Sequence, residues 1–152
     1  MYVKEINKGS YKKFVLIPLY KKDGKEMFVC HYCHDHFPKD QMTKDHKNPL
    51  SESGQDHIEN IVPACLSCNK NKADIPYDKF ISIINEFGHN LYRFELPKGS
   101  TNYQIIDGGL LYYNKQGVAN VINGVDKVGG GCRILTTYNG KNNLHILTSI
   151  SK

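Results

Sequence analysis

The 152-residue chain has no tryptophan and only three methionines, and its hydrophobic share of 39% supports a modest core. No run of about 18 apolar residues occurs, which excludes a membrane-spanning helix at this level of reading. The apolar stretch Phe14–Tyr20 is short, contains Pro18 and follows Lys12-Lys13 without a small-residue cleavage pattern. It reads as a strand and not as a signal peptide. Gly129-Gly130-Gly131 lacks the Gly-Lys-Ser/Thr that a phosphate loop needs, so a turn or a close backbone approach is expected there. No internal repeat is evident. The expected location is the cytoplasm, where thiols stay reduced.

Cysteine is scarce but concentrated. Four of the five lie in Cys30-His31-Tyr32-Cys33 and Cys65-Leu66-Ser67-Cys68, two Cys-x-x-Cys pairs with 31 residues between them. Each pair can bring two thiolates together across a tight turn, and two pairs fill the tetrahedral shell that Zn²⁺ prefers. The rival reading, two disulfides or buried thiols, has no secretory signal to support it. A structural zinc on Cys30, Cys33, Cys65 and Cys68 is therefore expected, and four thiolates leave no open position for water. Such sites contribute roughly 10–16 kcal/mol at neutral pH, comparable to the whole stability of a small domain. His31, His34 and His36 are then ordinary surface histidines, and Cys132 a small strand residue.

The residues inside this clamp carry different chemistry. Asp45-His46 sets a carboxylate beside an imidazole in a segment that ends at Pro49. Asn69 and Lys72 follow Cys68 in a short predicted helix, with Pro63 suited to its first turn, and a spacing of three puts them on one face. A carboxylate, an imidazole, an amide oxygen and a lysine beside a metal staple suit phosphodiester chemistry. Asp45-His46, Asn60 and Cys65-x-x-Cys68-Asn69-x-x-Lys72-x-Asp74 together resemble the HNH, or ββα-metal, treble-clef-like endonuclease family in its four-cysteine zinc form. The likeness covers about residues 28 to 75 and departs from the family pattern at Lys47 and at Ser53-Gly54.

The resemblance implies that His46 is the general base and that Asp45 and Asn69 hold one catalytic Mg²⁺ or Mn²⁺. It also implies that Asn60 braces the loop holding His46. Lys72 is expected at a phosphate. His57, beside Asp56, is the competing histidine, but it has only a loop position, whereas His46 has the adjoining carboxylate and the family spacing to Asn60.

Charge follows the same division. Residues 1–27 hold seven lysines against three acids, residues 30–74 five lysines against seven acids, and residues 75–152 eight basic against five acidic groups. An acidic centre between basic arms fits a cation site gripping a polyanion. Lysines that merely solubilise strand ends are the alternative.

The expected fold class is α+β: a zinc-stapled ββα-metal core with an N-terminal β-hairpin, then a helix and a small antiparallel β region. Strands are expected over 2–7 and 11–20, with Asp23-Gly24 turning Phe14–Tyr20 back onto Glu26–Cys30. Residues 43–48 and 59–62 should supply the two core strands. Phe80, Ile81, Ile83, Ile84 and Phe87 form one apolar stripe of a helix over Tyr77–Gly88, read as packing the clamp against the hairpin. Beyond it come Leu91–Leu96, Tyr103–Ile106, Leu110–Tyr113, Val118–Ile122, Cys132–Thr137 and Leu144–Ser149, strand-like runs between Gly/Asn turns. The division is residues 1–90, a nuclease domain, and 91–152, an accessory region for DNA contact or dimerisation. Tyr112, Tyr113, Arg133, Tyr138, Lys141, Asn142 and Asn143 are its candidate contacts.

The functional expectation is a metal-dependent endonuclease acting on double-stranded DNA, of restriction, phage or mobile-element type, from a bacterium or phage. A homodimer through Cys132–Thr137 and Leu144–Ser149 would place two His46 centres on opposite strands. The alternatives are a catalytically silent zinc-binding nucleic-acid module and an RNA-directed nuclease.

Overall fold

The computed structural model describes residues 2–107, 109–123 and 132–150. Gly129-Gly130-Gly131 lie outside them. The chain divides into two compact units, Met1–Ser82 and Ile83–Lys152. Among the described residues no helix is long and apolar enough to cross a membrane.

The first unit opens with strands β1 (Val3–Lys8) and β2 (Tyr11–Leu16), paired in register from Val3↔Leu16 to Lys8↔Tyr11 around Gly9, whose φ of +62° suits the turn. β2 stops at Leu16, two residues before Pro18. The Asp23-Gly24 turn instead joins a separate short strand, β3 (Tyr20–Lys22), to β4 (Lys25–Val29). The expected pairing of Phe14–Tyr20 with Glu26–Cys30 is thus corrected: the one predicted strand is two, and β1 has taken the partner role along β2. β4 then runs into the first cysteine pair and returns as β5 (His36–Pro38). This hairpin was not foreseen, because three residues with a proline carry too little pattern to read as a strand.

The ββα core follows. β6 (Met42–His46) pairs antiparallel with β7 (Ile61–Cys65), with Asp45 opposite Val62 and His46 opposite Ile61, and α1 (Leu66–Lys72) completes it. The second strand is longer than the predicted 59–62, and Pro63 stands inside it instead of starting the helix. β7 has only β6 beside it in its sheet, so it is an edge strand, where a missing N–H is tolerated. The Pro63 carbonyl accepts from the His31 amide at 2.8 Å, which ties the first cysteine pair to β7. The helix starts at Leu66 because the Cys65 sulfur accepts from the Cys68 amide as its N-cap.

β1 and β2 reach this core through β7: Val3, Phe14 and Ile61 bury one another, with Leu16 and Ile58 packed alongside. Helix α2 (Tyr77–Phe87) contributes Phe80, fully buried with its ring edge-on to Tyr32 at a centroid distance of 5.2 Å. α2 therefore braces the cysteine knuckle, while the hairpin joins through β7. Gly88, at φ +81°, ends α2 as the sequence predicted.

The second unit contains two antiparallel three-stranded sheets. β8 (Leu91–Pro97), β12 (Arg133–Asn139) and β13 (Asn143–Ser149) are ordered β12-β13-β8. β9 (Thr101–Ile106), β10 (Gly109–Tyr113) and β11 (Ala119–Asn123) are ordered β11-β10-β9. Phe94, Leu96, Leu144 and Ile146 from the first sheet and Leu110 and Tyr112 from the second bury one another in a common core. β13 is the central strand of its sheet, so Leu144–Ser149 has neighbours on both sides. Of the two strands expected at a dimer seam, β12 is an outer strand and β13 is not.

Candidate metal centre and nuclease site

Two turns deliver the four thiols. The first is closed by the Cys30 amide on the Asp35 carbonyl and the His34 amide on the Cys30 carbonyl, both 2.9 Å, with His34 in the left-handed region at φ +65°. The second is the N-terminus of α1. Backbone amides of Tyr32 and Cys33 point at the Cys30 sulfur at 3.4 and 3.5 Å, and that of Cys68 at the Cys65 sulfur at 3.4 Å. The Sγ atoms of Cys30, Cys33, Cys65 and Cys68 all lie within 4.8 Å of one another, and Cys33 and Cys65 are 4.0 Å apart.

A tetrahedron with metal–sulfur bonds of about 2.3 Å has edges of about 3.8 Å, so the cluster is the right size for zinc. All four are free thiols. Their mutual influence points the same way. Thiol hydrogen bonds from Cys65 and Cys68 hold Cys30 far below its usual value, the contacts with Cys30 and Cys65 raise Cys68, and burial pushes Cys33 up to about 12. Without a dication Cys33 and Cys68 hold their protons. A bound dication lets all four ionise, which is the chemistry of a Cys₄ donor set.

The neighbouring histidines are engaged elsewhere. His31 Nε2 meets the Tyr77 hydroxyl at 2.8 Å, and burial, then the Lys47 charge, holds its pKa below the usual value. His36 Nδ1 meets the Tyr20 hydroxyl at 2.9 Å. His31 is half-buried against α2 and so is not the surface residue expected.

Next to the cysteines lies a buried polar network. The Tyr32 hydroxyl donates to Asp45 Oδ2 at 2.6 Å, and burial followed by the Asp45 charge raises the Tyr32 pKa strongly, so the phenol keeps the proton it donates. Lys72 Nζ lies 3.3 Å from the same Oδ2 and donates to the His46 carbonyl at 3.0 Å. Lys72 is completely buried; burial lowers its pKa while Asp45 opposes that shift. Lys72, expected at a phosphate, directs its ammonium here to the Asp45 carboxylate and the His46 carbonyl. Helix α1 runs along β6, setting Lys72 by Asp45 and Asn69 by Thr43. Asn69 Nδ2 donates to Thr43 Oγ1 at 2.9 Å. Thr43 and Asp45 are two apart on β6 and share its face, so Asn69 and Asp45 occupy one side of the strand.

His46 stands at the end of β6, with Nε2 at 3.0 Å from Asp56 Oδ1. The hydrogen bond from His46 is the largest influence lowering the Asp56 pKa, followed among the favourable ones by the Lys12 charge. Beside an ionised Asp56, the neutral form of the ring has its N–H on Nε2 and its acceptor at Nδ1. The Lys12 ammonium also donates to the Asp56 carbonyl. Asn60 holds the intervening loop from inside: Nδ2 donates to the carbonyls of Asn48 at 3.0 Å and Gln55 at 2.8 Å, and Oδ1 accepts from the Asn48 amide at 3.0 Å. Ser53-Gly54 still makes the tight turn, with Ser53 at φ +68°. A Cβ on Gly54 would fall 1.8 Å from the Asn48 carbonyl oxygen, so only glycine fits. His57 is the N-cap of the one-turn helix Ile58–Asn60, its Nδ1 accepting from the Glu59 amide at 3.3 Å.

The structure thus joins Asp45, Lys72 and the His46 backbone in one network and holds Asn69 through Thr43. Asn60 acts on the loop. Sequence reasoning missed Tyr32 and Asp56. Tyr32 had a signal, an aromatic hydroxyl inside a cysteine knuckle that must find a partner when buried; Asp56 had none beyond lying in the loop. Residues 30–74 match the family model described as HNH endonuclease, while no curated protein and no solved structure matches the chain.

Proposed function

We propose that the HNH-family domain formed by residues 30–74 makes this chain a metal-dependent endonuclease that hydrolyses phosphodiester bonds of double-stranded DNA. The observation that carries the reading is the Tyr32–Asp45–Lys72 network, which fixes a carboxylate and the adjacent imidazole-bearing backbone in a buried frame beside a Cys₄ cluster. A structural role alone needs no such pairing of Asp45 with His46.

In this reading His46 Nδ1 takes a proton from the attacking water, while Asp56 on Nε2 sets the ring orientation and tautomer. The water oxygen then forms the new bond to phosphorus and the 3′-oxygen leaves. Asp45 Oδ1 and the Asn69 amide oxygen are hard donors suited to Mg²⁺ or Mn²⁺, since Asp45 Oδ2 and Asn69 Nδ2 face protein partners. An ion held there supplies charge stabilisation at the phosphoryl oxygens. Zinc in the Cys₄ cluster is structural. The strands of residues 91–152 serve as an accessory region, and a homodimer through β12 or β8 would let two centres cut opposite strands.

One observation favours a second reading. Lys72 already neutralises Asp45, which weakens its pull on a dication, as in a silent zinc-binding nucleic-acid module. Plasmid cleavage with Mg²⁺ or Mn²⁺, against EDTA, separates the two. His46→Ala should lower cleavage by about 10²–10⁴-fold while duplex binding stays at the wild-type level. Wild-type protein that binds and never cuts overturns the enzyme reading; a dead His57→Ala beside an active His46→Ala overturns the choice of base.

A further inference from the structure

A groove of about 490 Å³ opens between the N-terminal hairpin and the nuclease core, within the first unit. Lys4 and Lys13 line one side and Lys39 and Lys44 the other, with Glu26 the one carboxylate among the lining residues. All four lysines are exposed. The register explains the first pair: Lys4 sits opposite Val15 and Lys13 opposite Ile6, so both project from one face of the hairpin. Lys44 Nζ donates to the Phe14 carbonyl at 3.0 Å, which ties the two walls together. Among the described residues, no carboxylate lies within ion-pair distance of these four ammonium groups.

The groove also borders the strand that carries the site. Thr43 is one of its lining residues, and the Thr43 hydroxyl is where Asn69 is held. Thr43 and Lys44 are the residues immediately before Asp45-His46 on β6. A chain laid along the lysines therefore runs beside the strand that carries the carboxylate and the imidazole.

We infer that this groove holds the phosphodiester backbone of the nucleic-acid strand flanking the cleaved bond, and that the hairpin, which lies outside the family-matched segment, supplies half of the grip. Four cations against one acid, over an apolar floor, fit a polyanion with sugar faces between its charges. The inference rests on the endonuclease reading for where the scissile phosphate sits, but its test is a binding measurement.

Fluorescence anisotropy with a short labelled DNA duplex and no added Mg²⁺ or Mn²⁺, across roughly 50–200 mM salt, reads the number of phosphates neutralised. The double variant Lys4→Gln/Lys13→Gln should bind more weakly at low salt, and its log K against log[salt] should be shallower by about 2, near 0.9 for each lost contact. Lys39→Gln, alone, should reduce the slope by about 1. The control Lys21→Gln/Lys22→Gln removes the same charge from β3, outside the groove, and should leave the slope unchanged. Equal slopes for the groove and control pairs overturn the inference, as does wild-type protein that fails to bind DNA. So does an equal loss of binding to labelled polyglutamate, which would make the groove a general anion surface. Wild-type protein that shows the groove-dependent slope but never cleaves refutes the endonuclease reading and leaves the groove standing.

Discussion

The two units bury different things. Among the described residues, the buried polar ones in the first are Asp45, Asn71 and Lys72, two of them charged, together with a cluster of thiols. In the second they are Ser100 and Thr148, whose hydroxyls donate to nearby carbonyls of Pro97 and Tyr92 at 2.6 and 2.9 Å. Hydroxyls satisfied locally cost little, and the second unit is left to rest on Phe94, Leu96, Leu110, Leu144 and Ile146. Buried charges cost much unless paired, so the first unit depends on its pairs and on the metal its thiols are built for. Candidate chemistry sits where folding is expensive; the plain apolar core is elsewhere.

That contrast is exposed most directly by metal removal. Stripping the metal, or Cys68→Ser, should cost the first unit on the order of 10 kcal/mol, enough to unfold it. Hydrogen exchange should then show lost protection in β7 and retained protection in β13. Protection lost from both together would mean that the units do not differ in what holds them.

Next in size is the buried pair. Lys72→Met leaves Asp45 buried without its cation and should cost about 3–5 kcal/mol, whereas Lys72→Met combined with Asp45→Asn should recover much of it. Denaturant midpoints of the single and double variants measure the difference, and a double variant no better than the single would remove the pair from the account. In the second unit, Leu110→Ala should cost about 2–5 kcal/mol by opening a cavity in a fully buried position. Only the exchange behaviour of residues 83–150 should change; altered exchange in β6 or β7 would break the contrast.

The smallest effect concerns Asp56. Its folded pKa is lowered by the His46 hydrogen bond, so the contact is present above the ordinary carboxylate range and is lost as pH falls through the depressed value. Carbon-detected NMR should place the Asp56 midpoint below the usual carboxylate range, and His46→Ala should return it upward. An unchanged midpoint in that variant would show that the 3.0 Å contact has no electrostatic content.

Much of this molecule was legible because short-range rules suffice for it. Two Cys-x-x-Cys pairs announce a metal cluster whatever surrounds them, and β-rich runs between Gly/Asn turns located the six strands from Leu91 onward. The apolar stripe with Gly88 located α2. The reading failed where one residue has two local meanings. Pro63 suits a helix start as well as an edge strand, and only the pairing of β7 with β6 chose between them. Phe14–Tyr20 looks continuous, yet the chain needed both a partner for β1 and a turn at Asp23-Gly24, and Pro18 lies between the two tasks.

By itself the sequence determined the cysteine cluster, the Asp45-His46 dipeptide, the α+β class and the uneven charge, all properties of residue type and spacing. Tertiary structure alone decided that Lys72 is buried on Asp45, that Tyr32 reaches across to the same carboxylate, and that Asp56 returns to His46. Lysine is amphipathic, and its sequence does not say whether its ammonium meets water or a buried carboxylate. That choice is made by what packs around it, here α1 laid along β6 with Asp45 waiting at the end of the strand.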